Sequence, residues 1–120
     1  MKKKKQIWKD RRLLPLLWVA LIMVLSSVPG EEIPDIGFDF SDKLAHFLEY
    51  LVLGVFLLFA FKGEKTLVWG GIFAVIEEMH QFYIPGRECS AADLVMNLLG
   101  LVVSPAVFRL LVHLRKRRSI

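Results

Sequence analysis

The sequence has one cysteine, Cys89, in 120 residues, so no internal disulfide can form. This absence excludes the small secreted domains that depend on several disulfides for stability. The chain also lacks a stripe of basic residues interleaved with aromatic residues, although its net charge is +4. Its Lys and Arg residues are concentrated near the chain ends and beside apolar segments, which is not the pattern of a nucleic-acid-binding surface. Nucleic acid is therefore not an expected partner.

Apolar residues are abundant. Hydrophobic residues make up 55% of the chain, and the mean hydropathy is +0.50. A soluble chain of 13.8 kDa encloses too small a core for so many apolar side chains. Long apolar stretches alternate with short charged segments, and this segregation is typical of a membrane protein. A chain of this length has room for one domain, so we expect residues 1–120 to form a single membrane domain.

Four apolar segments pass the length test for crossing the hydrocarbon layer, which takes roughly 20 residues, although the first is slightly short. Only helices satisfy their own backbone hydrogen bonds in lipid, so the sequence predicts an all-α bundle of four transmembrane helices. The predicted spans cover about residues 13–28, 44–61, 66–83 and 91–114. Ser41 or Asp42 suits the N-cap of the second span, and residues 29–40 are predicted to form a loop because they contain two prolines and two glycines.

The distribution of Lys and Arg predicts the orientation of the bundle. Seven precede the first span, two lie in the turn between the second and third spans, and four lie in the C-terminal tail. The opposite side carries only Lys43 and Arg87, together with several acidic residues. Because cytoplasmic segments are enriched in basic residues, both termini are predicted to be cytoplasmic. A cleaved signal peptide over residues 1–30 is the alternative, but no clear cleavage site follows the apolar run.

Polar residues inside the spans are the main indication of function, because a charge at the centre of a membrane helix costs about 2.5–3.5 kcal/mol. Those of the second, third and fourth spans recur every three or four residues and fall in the same half of the membrane. They predict one polar pocket between helices, open to the extracytoplasmic side. The predicted pocket residues are Asp42, Lys43, His46, Glu49, Tyr50, Glu78, Gln81, Arg87, Ser90, Asp93 and Asn97.

Several of these residues have simpler interpretations, which the sequence leaves open. Lys43 suits a charge at the membrane rim, and Asn97 suits a hydrogen bond between helices with no further role. His80 is left out of the predicted pocket because it suits a position facing lipid headgroups. The sequence does not decide whether Glu77 or Glu78 faces the pocket, and only Glu78 is included.

Two motifs carry a resemblance to a known family. The run Asp-Lys-Leu-Ala-His-Phe-Leu-Glu-Tyr over residues 42–50, followed by Leu53-Gly54, resembles the DKxxHFxxYxxLG signature of the VanZ-like family. The second signature of that family, ExxQ…R..S..D…N..G, is matched in order by Glu78, Gln81, Arg87, Ser90, Asp93, Asn97 and Gly100. Ser104 stands where the signature has a second glycine, and a residue this small still allows helices to pack closely. The resemblance covers nearly the whole chain.

Members of the VanZ-like family are small integral membrane proteins. The family is named after a determinant of low-level resistance to teicoplanin, a glycopeptide antibiotic with an acyl tail. The resemblance therefore implies a role in the cell envelope, with membrane lipids or lipid-linked envelope molecules as partners. It implies no particular chemistry.

Three functions fit a polar pocket in the outer half of the membrane. The first is binding of an amphiphile, such as a lipid-linked precursor, a lipid headgroup or an acylated glycopeptide. The second is an intramembrane enzyme that uses His, Glu and Asp groups for acid–base chemistry on a lipid-linked substrate. The third is a subunit of an ion- or proton-coupled transporter, which needs polar residues through the full membrane depth.

The residues of the enzyme hypothesis could also hold a metal ion through one His and carboxylates. No cofactor or metal is nevertheless expected, because the sequence has no HExxH motif and no compact metal-ligand spacing.

Overall fold

The structure, a computed structural model, describes residues 10–27, 39–61, 63–86 and 91–118. Within these ranges the chain forms four α-helices, two short 3-10 helices and no strand, which confirms the predicted all-helical fold. The helices are α1 (Leu13–Ser26), α2 (Asp39–Ala60), α3 (Leu67–Phe82) and α4 (Ala91–Arg118). The 3-10 helices, Asp10–Arg12 and Glu64–Thr66, directly precede α1 and α3.

The ends of the helices follow from local residue chemistry. Pro15 lies in the first turn of α1, where its missing N–H removes no helical hydrogen bond. After α3 the chain turns at Pro85-Gly86, and Gly86 has a φ of 77°, a left-handed value that favours glycine. The predicted cap at Ser41 or Asp42 is wrong, because α2 begins at Asp39 and both residues lie within its first turn. Asp39 and Phe40 are accordingly helical, whereas most of the predicted outer loop lies outside the described residues.

Helix α2 is the centre of the bundle and contacts each of the other three helices, most extensively α4. Pairs such as Lys43 with Asp93 and His46 with Asn97 show that α2 and α4 run parallel, offset by about 50 residues. The apolar core combines Tyr50, Leu53, Leu57, Ala74 and Leu101 from α2, α3 and α4. Helix α1 adds Trp18, whose ring meets Phe56 edge-on with 5.8 Å between the ring centroids.

Small residues let α2 and α4 approach closely. A Cβ on Gly100 would lie 2.8 Å from the backbone nitrogen of Leu51, so only glycine fits against the α2 backbone at this point. One turn further along, Gly54 faces the fully buried Ser104, and a Cβ on Gly54 would lie 2.5 Å from the Cβ of Ser104. This is the close packing of small residues that is common between membrane helices.

The helices expose their apolar faces and bury their polar ones. In α3 the buried positions are Gly70, Ala74, Glu77, Glu78 and Gln81. The same helix exposes Val68, Trp69, Ile72, Val75, Ile76, Met79 and Phe82. Such a distribution places large apolar patches on the outside, which water disfavours and lipid accepts.

Two of the four helices, α2 and α4, are long and apolar enough to cross a membrane. Helix α1 has 14 residues and α3 has 16. At about 1.5 Å per residue these two helices are roughly 21 and 24 Å long, which is shorter than a hydrocarbon layer of about 30 Å.

Candidate functional site

The polar side chains of the bundle meet at one end, where α1 and α3 finish and where α2 and α4 begin. We call the buried side chains there the polar end: His46, Tyr50, Glu77, Glu78, Gln81, Asp93 and Asn97. They converge because each helix places residues three and four apart on one face. On α4, for example, Asp93, Asn97, Gly100 and Ser104 form a single buried stripe that faces α2.

A chain of polar contacts leads from the surface into the bundle. The ammonium group of Lys43 donates to Oδ1 of Asp93 at 3.2 Å, and the Lys43 side chain is 36% exposed while that of Asp93 is 7% exposed. Oδ2 of Asp93 lies 3.7 Å from Nε2 of His46. The Nδ1–H of His46 donates to Oδ1 of Asn97 at 3.0 Å, because an amide oxygen can only accept. Asn97 has no exposed surface, so burial increases along the chain.

A second buried contact joins α2 to α3. The hydroxyl of Tyr50 donates to Oε2 of Glu77, and the Tyr50 ring stacks on Phe73 with 6.1 Å between the centroids. Glu77 and its neighbour Glu78 are both buried, at 1% and 4% exposure. The sequence does not decide which of the two carboxylates faces inward, and in the structure both do. Two adjacent positions can share a buried face when that face is centred between them.

Helix α1 approaches the polar end through its last turn. Oγ of Ser27 lies 3.0 Å from Nε2 of His80 and also donates to the carbonyl oxygen of Met23 at 2.7 Å. The hydroxyl proton is therefore directed at the helix backbone, and the imidazole N–H donates to Oγ. This direction is opposite to the one that a serine nucleophile and histidine base require. Oγ of Ser26, which is buried, has no hydrogen-bond partner among the described residues.

Most of the predicted pocket residues lie at or beside the polar end. Lys43 stands at its rim, and Glu49 is half-buried, with its backbone oxygen accepting a hydrogen bond from Nε1 of Trp18 at 2.8 Å. Arg87 and Ser90 lie outside the described residues, and so does the side chain of Asp42.

Sequence reasoning missed one residue and one contact. Glu77 was left out of the predicted pocket although it receives the Tyr50 hydrogen bond. The signal was present, because residues 74, 77, 78 and 81 follow the i, i+3, i+4, i+7 pattern of one helix face. The contact between Ser27 and His80 joins residues 53 positions apart, and no local pattern in the sequence indicates it.

The polar end contains two overlapping sets of residues with ligand atoms for a metal ion. One set is His46, Glu49 and Glu77, and the other is His46, Glu78 and Asp93. Within each set, one ligand atom from each residue lies within 4.8 Å of the others. Every member of the second set is buried.

The fold and the polar end define a class of protein: an all-helical membrane protein with a cluster of ionisable groups enclosed between apolar-faced helices. The chain belongs to the VanZ/LLP1 family, whose family model matches residues 3–112. This match confirms the resemblance carried by the two sequence motifs. No similar chain was found among curated proteins or among solved structures.

Proposed function

We propose that the protein binds the polar head of an amphiphile at the polar end, in the outer half of the cell membrane. The ligand classes are a lipid-linked envelope precursor, a phospholipid headgroup or an acylated glycopeptide. The observation that carries this proposal is the chain of contacts from half-exposed Lys43 through Asp93 and His46 to fully buried Asn97. Such a gradient of burial suits a ligand whose charged head enters from the membrane surface.

Two buried polar atoms support the binding of a ligand. Nδ2 of Asn97 and Oγ of Ser26 lack hydrogen-bond partners within the described part of the chain. A buried donor without a partner costs about 1–3 kcal/mol. A phosphate, carboxylate or hydroxyl oxygen of the ligand would remove that cost, while the Lys43 ammonium group would attract an anionic head.

We also propose that all four helices cross the membrane with both termini cytoplasmic. The support is that the strongly basic segments accompany the ends of α1 and α4 that lie farthest from the polar end. Cys89, in the predicted outer turn, is then expected to react with a membrane-impermeant maleimide in intact cells. A cysteine introduced as Ser119→Cys in a Cys89→Ser background is expected to react only after lysis, and labelling before lysis would contradict this orientation.

The binding proposal can be tested by mass spectrometry of lipids that co-purify with the full chain. We expect one lipid class to be enriched over the host membrane, and Lys43→Gln to reduce that enrichment several-fold. Lys65→Gln is the matched control, because Lys65 is an exposed cation in the turn between α2 and α3, far along the chain from the polar end. Lipid content equal to that of the bulk membrane, together with no binding of an acylated glycopeptide, would contradict the proposal.

An intramembrane enzyme is the second candidate. It is favoured by the fixed orientation of His46, whose Nδ1 is held by Asn97 and whose Nε2 faces a carboxylate. Glu78→Gln separates the two functions because it keeps the shape of the side chain and removes its charge. An enzyme is expected to lose turnover of a lipid-linked substrate while still binding it, whereas a binding protein is expected to lose affinity.

The family also leads us to propose a contribution to glycopeptide resistance. Expression in a sensitive host is expected to raise the inhibitory concentration of an acylated glycopeptide more than that of one without an acyl chain. Asp93→Asn is expected to abolish the difference. A transporter is less well supported, because beyond Tyr50 the described α2–α4 interior is apolar apart from Ser104.

A further inference from the structure

We propose that His46, Glu78 and Asp93 bind one divalent first-row transition-metal ion. The three residues come from α2, α3 and α4, and each has an exposed fraction of 5% or less. Their ligand atoms lie within 4.8 Å of one another. Ligand atoms that are each about 2.0–2.2 Å from a shared tetrahedral metal lie about 3.3–3.6 Å apart. Binding therefore requires each ligand atom to move by up to about 1 Å.

The hydrogen bonding of His46 prepares Nε2 as a ligand. Because Oδ1 of Asn97 accepts from Nδ1, the proton of a neutral imidazole resides on Nδ1, and the lone pair of Nε2 points away from Asn97. That nitrogen faces Oδ2 of Asp93 at 3.7 Å. The Nε2 lone pair and the carboxylate oxygen repel each other unless a positive centre lies between the two atoms. Histidine ligands of metals are commonly oriented by a hydrogen bond from the other ring nitrogen, as Asn97 provides here.

The residue that orients His46 has a further feature of a ligand-binding site. Asn97 is fully buried, and its Nδ2 has no partner among the residues that the structure describes. The amide that orients His46 thus keeps a donor available for a polar ligand atom at the polar end. Three protein ligands leave at least one coordination position open, which a water molecule or an anionic oxygen can fill.

The donor set selects the class of metal. An imidazole nitrogen favours zinc, iron and related ions over magnesium and calcium, which prefer oxygen ligands alone. Two carboxylates and a neutral imidazole also match the charge of a divalent ion, which lowers the cost of burying the group between apolar helices. Lys43 contacts Oδ1 of Asp93 while Oδ2 faces His46, so the two oxygens of this carboxylate serve different partners.

The experiment is metal binding by the full chain in detergent, without added lipid, after removal of bound metal with a chelator. Titration with Mn²⁺ or Zn²⁺ is expected to give about one ion per chain. Glu78→Gln and Asp93→Asn are expected to weaken binding about tenfold or more, since losing even a residue that only orients a ligand costs about 10–100-fold. Glu64→Gln is the control, because Glu64 is an exposed carboxylate outside the polar end. Equal affinity of the native chain and Glu78→Gln would overturn the proposal.

A measurement on the native chain covers the case in which these variants fail to fold. Mn²⁺ bound to the native protein is expected to show coupling to an imidazole nitrogen in electron spin-echo modulation spectra. Mn²⁺ that binds without nitrogen coupling would place the metal elsewhere and overturn the assignment. Because no amphiphile is added, the outcome is independent of whether the protein binds lipid.

Discussion

The two ends of the bundle use the same ionisable residue types in opposite ways. At the polar end Asp93, His46 and Glu78 are buried between helices. At the other end, Arg109 and Glu64 form an ion pair of 2.7 Å in which the side chains are 72% and 65% exposed. Exposed pairs contribute little to stability because water competes for both partners, whereas a buried charge must be compensated within the protein. The charges are therefore compensated by water at one end of the bundle and by neighbouring side chains at the other.

The end of the bundle opposite the polar end, which we call the exposed end, also holds its cations against aromatic rings. The guanidinium groups of Arg11 and Arg12 lie 5.3 and 5.5 Å from the ring centroids of Phe59 and Phe61. These cation–π contacts link the 3-10 helix before α1 to the end of α2 while the charges stay near the surface. At the exposed end, the cations contact aromatic rings near the surface. At the polar end, the cation of Lys43 contacts the buried carboxylate of Asp93. Four substitutions test this comparison, in order of decreasing expected effect.

Gly100→Ala tests whether the polar end depends on close approach of α2 and α4. The new Cβ would lie 2.8 Å from the backbone nitrogen of Leu51 and closer still to the carbonyl oxygen of Phe47, so the backbones must separate. We expect a loss of about 3 kcal/mol or more, the upper range for overpacking, measured by thermal unfolding in detergent. Gly71→Ala is the control, because its nearest neighbour is 3.9 Å away. Equal stability of the two variants would show that the helices are not held this closely.

Asp93→Asn removes the charge that Lys43 and His46 share. We expect the free energy of unfolding to fall by about 2–4 kcal/mol. This is somewhat less than the loss on breaking a fully buried pair, because Lys43 is partly exposed. Glu64→Gln removes the acidic partner of the exposed ion pair and is expected to cost less than about 1 kcal/mol. Chemical unfolding of both variants gives the comparison directly. If Asp93→Asn and Glu64→Gln lower the free energy of unfolding by similar amounts, the buried charge contributes no more to stability than the exposed one.

Tyr50→Phe removes the hydroxyl that donates to Glu77 and keeps the ring packed on Phe73. Loss of the hydrogen bond to this buried carboxylate is expected to lower the free energy of unfolding by about 1–3 kcal/mol. Tyr83→Phe, at a position that is 79% exposed, is the matched control and is expected to change stability by less than about 0.5 kcal/mol. The measurement is again thermal unfolding, and an unchanged midpoint for Tyr50→Phe would mean that Glu77 has another sufficient donor.

Arg109→Gln is expected to have the smallest effect. It removes the cation of the exposed pair, and a change below about 1 kcal/mol in the free energy of unfolding is expected. A larger loss would show that the exposed end contributes to folding as much as the polar end does. Raising the salt concentration is expected to reduce even this small difference, because exposed charges are screened.

Much of the fold could be predicted because helix formation is local. The apolar runs and the breaks at Pro29-Gly30 and Pro85-Gly86 place four helices at about the positions that the structure gives. The start of α2 was predicted too late, since Ser41 and Asp42 look like caps only when the residues before them are assumed to be a loop. The helix therefore begins at Asp39 and includes Phe40, although Ser41 and Asp42 have side chains that favour a capping position.

The candidate site could be predicted in part. Recurrence every three or four residues places His46 with Tyr50, and Asp93 with Asn97, on common faces of their helices. The same periodicity places both Glu77 and Glu78 on the buried face of α3, and Glu77 is missed because the two adjacent positions are treated as alternatives. Periodicity gives no information on contacts between helices, and the approach of Ser27 to His80 therefore had no local signal.

Sequence alone determined that this is a helical membrane protein of the VanZ/LLP1 family with polar faces on three helices, because composition, helical period and motif order are properties of the linear chain. Only the tertiary structure decided the register, which aligns α2 with α4 at an offset of about 50 residues and brings His46 to both Asp93 and Asn97. The physical reason is that register depends on where backbones can approach. That place is set by Gly100 against the α2 backbone and by Gly54 against Ser104, which are contacts between residues far apart in sequence.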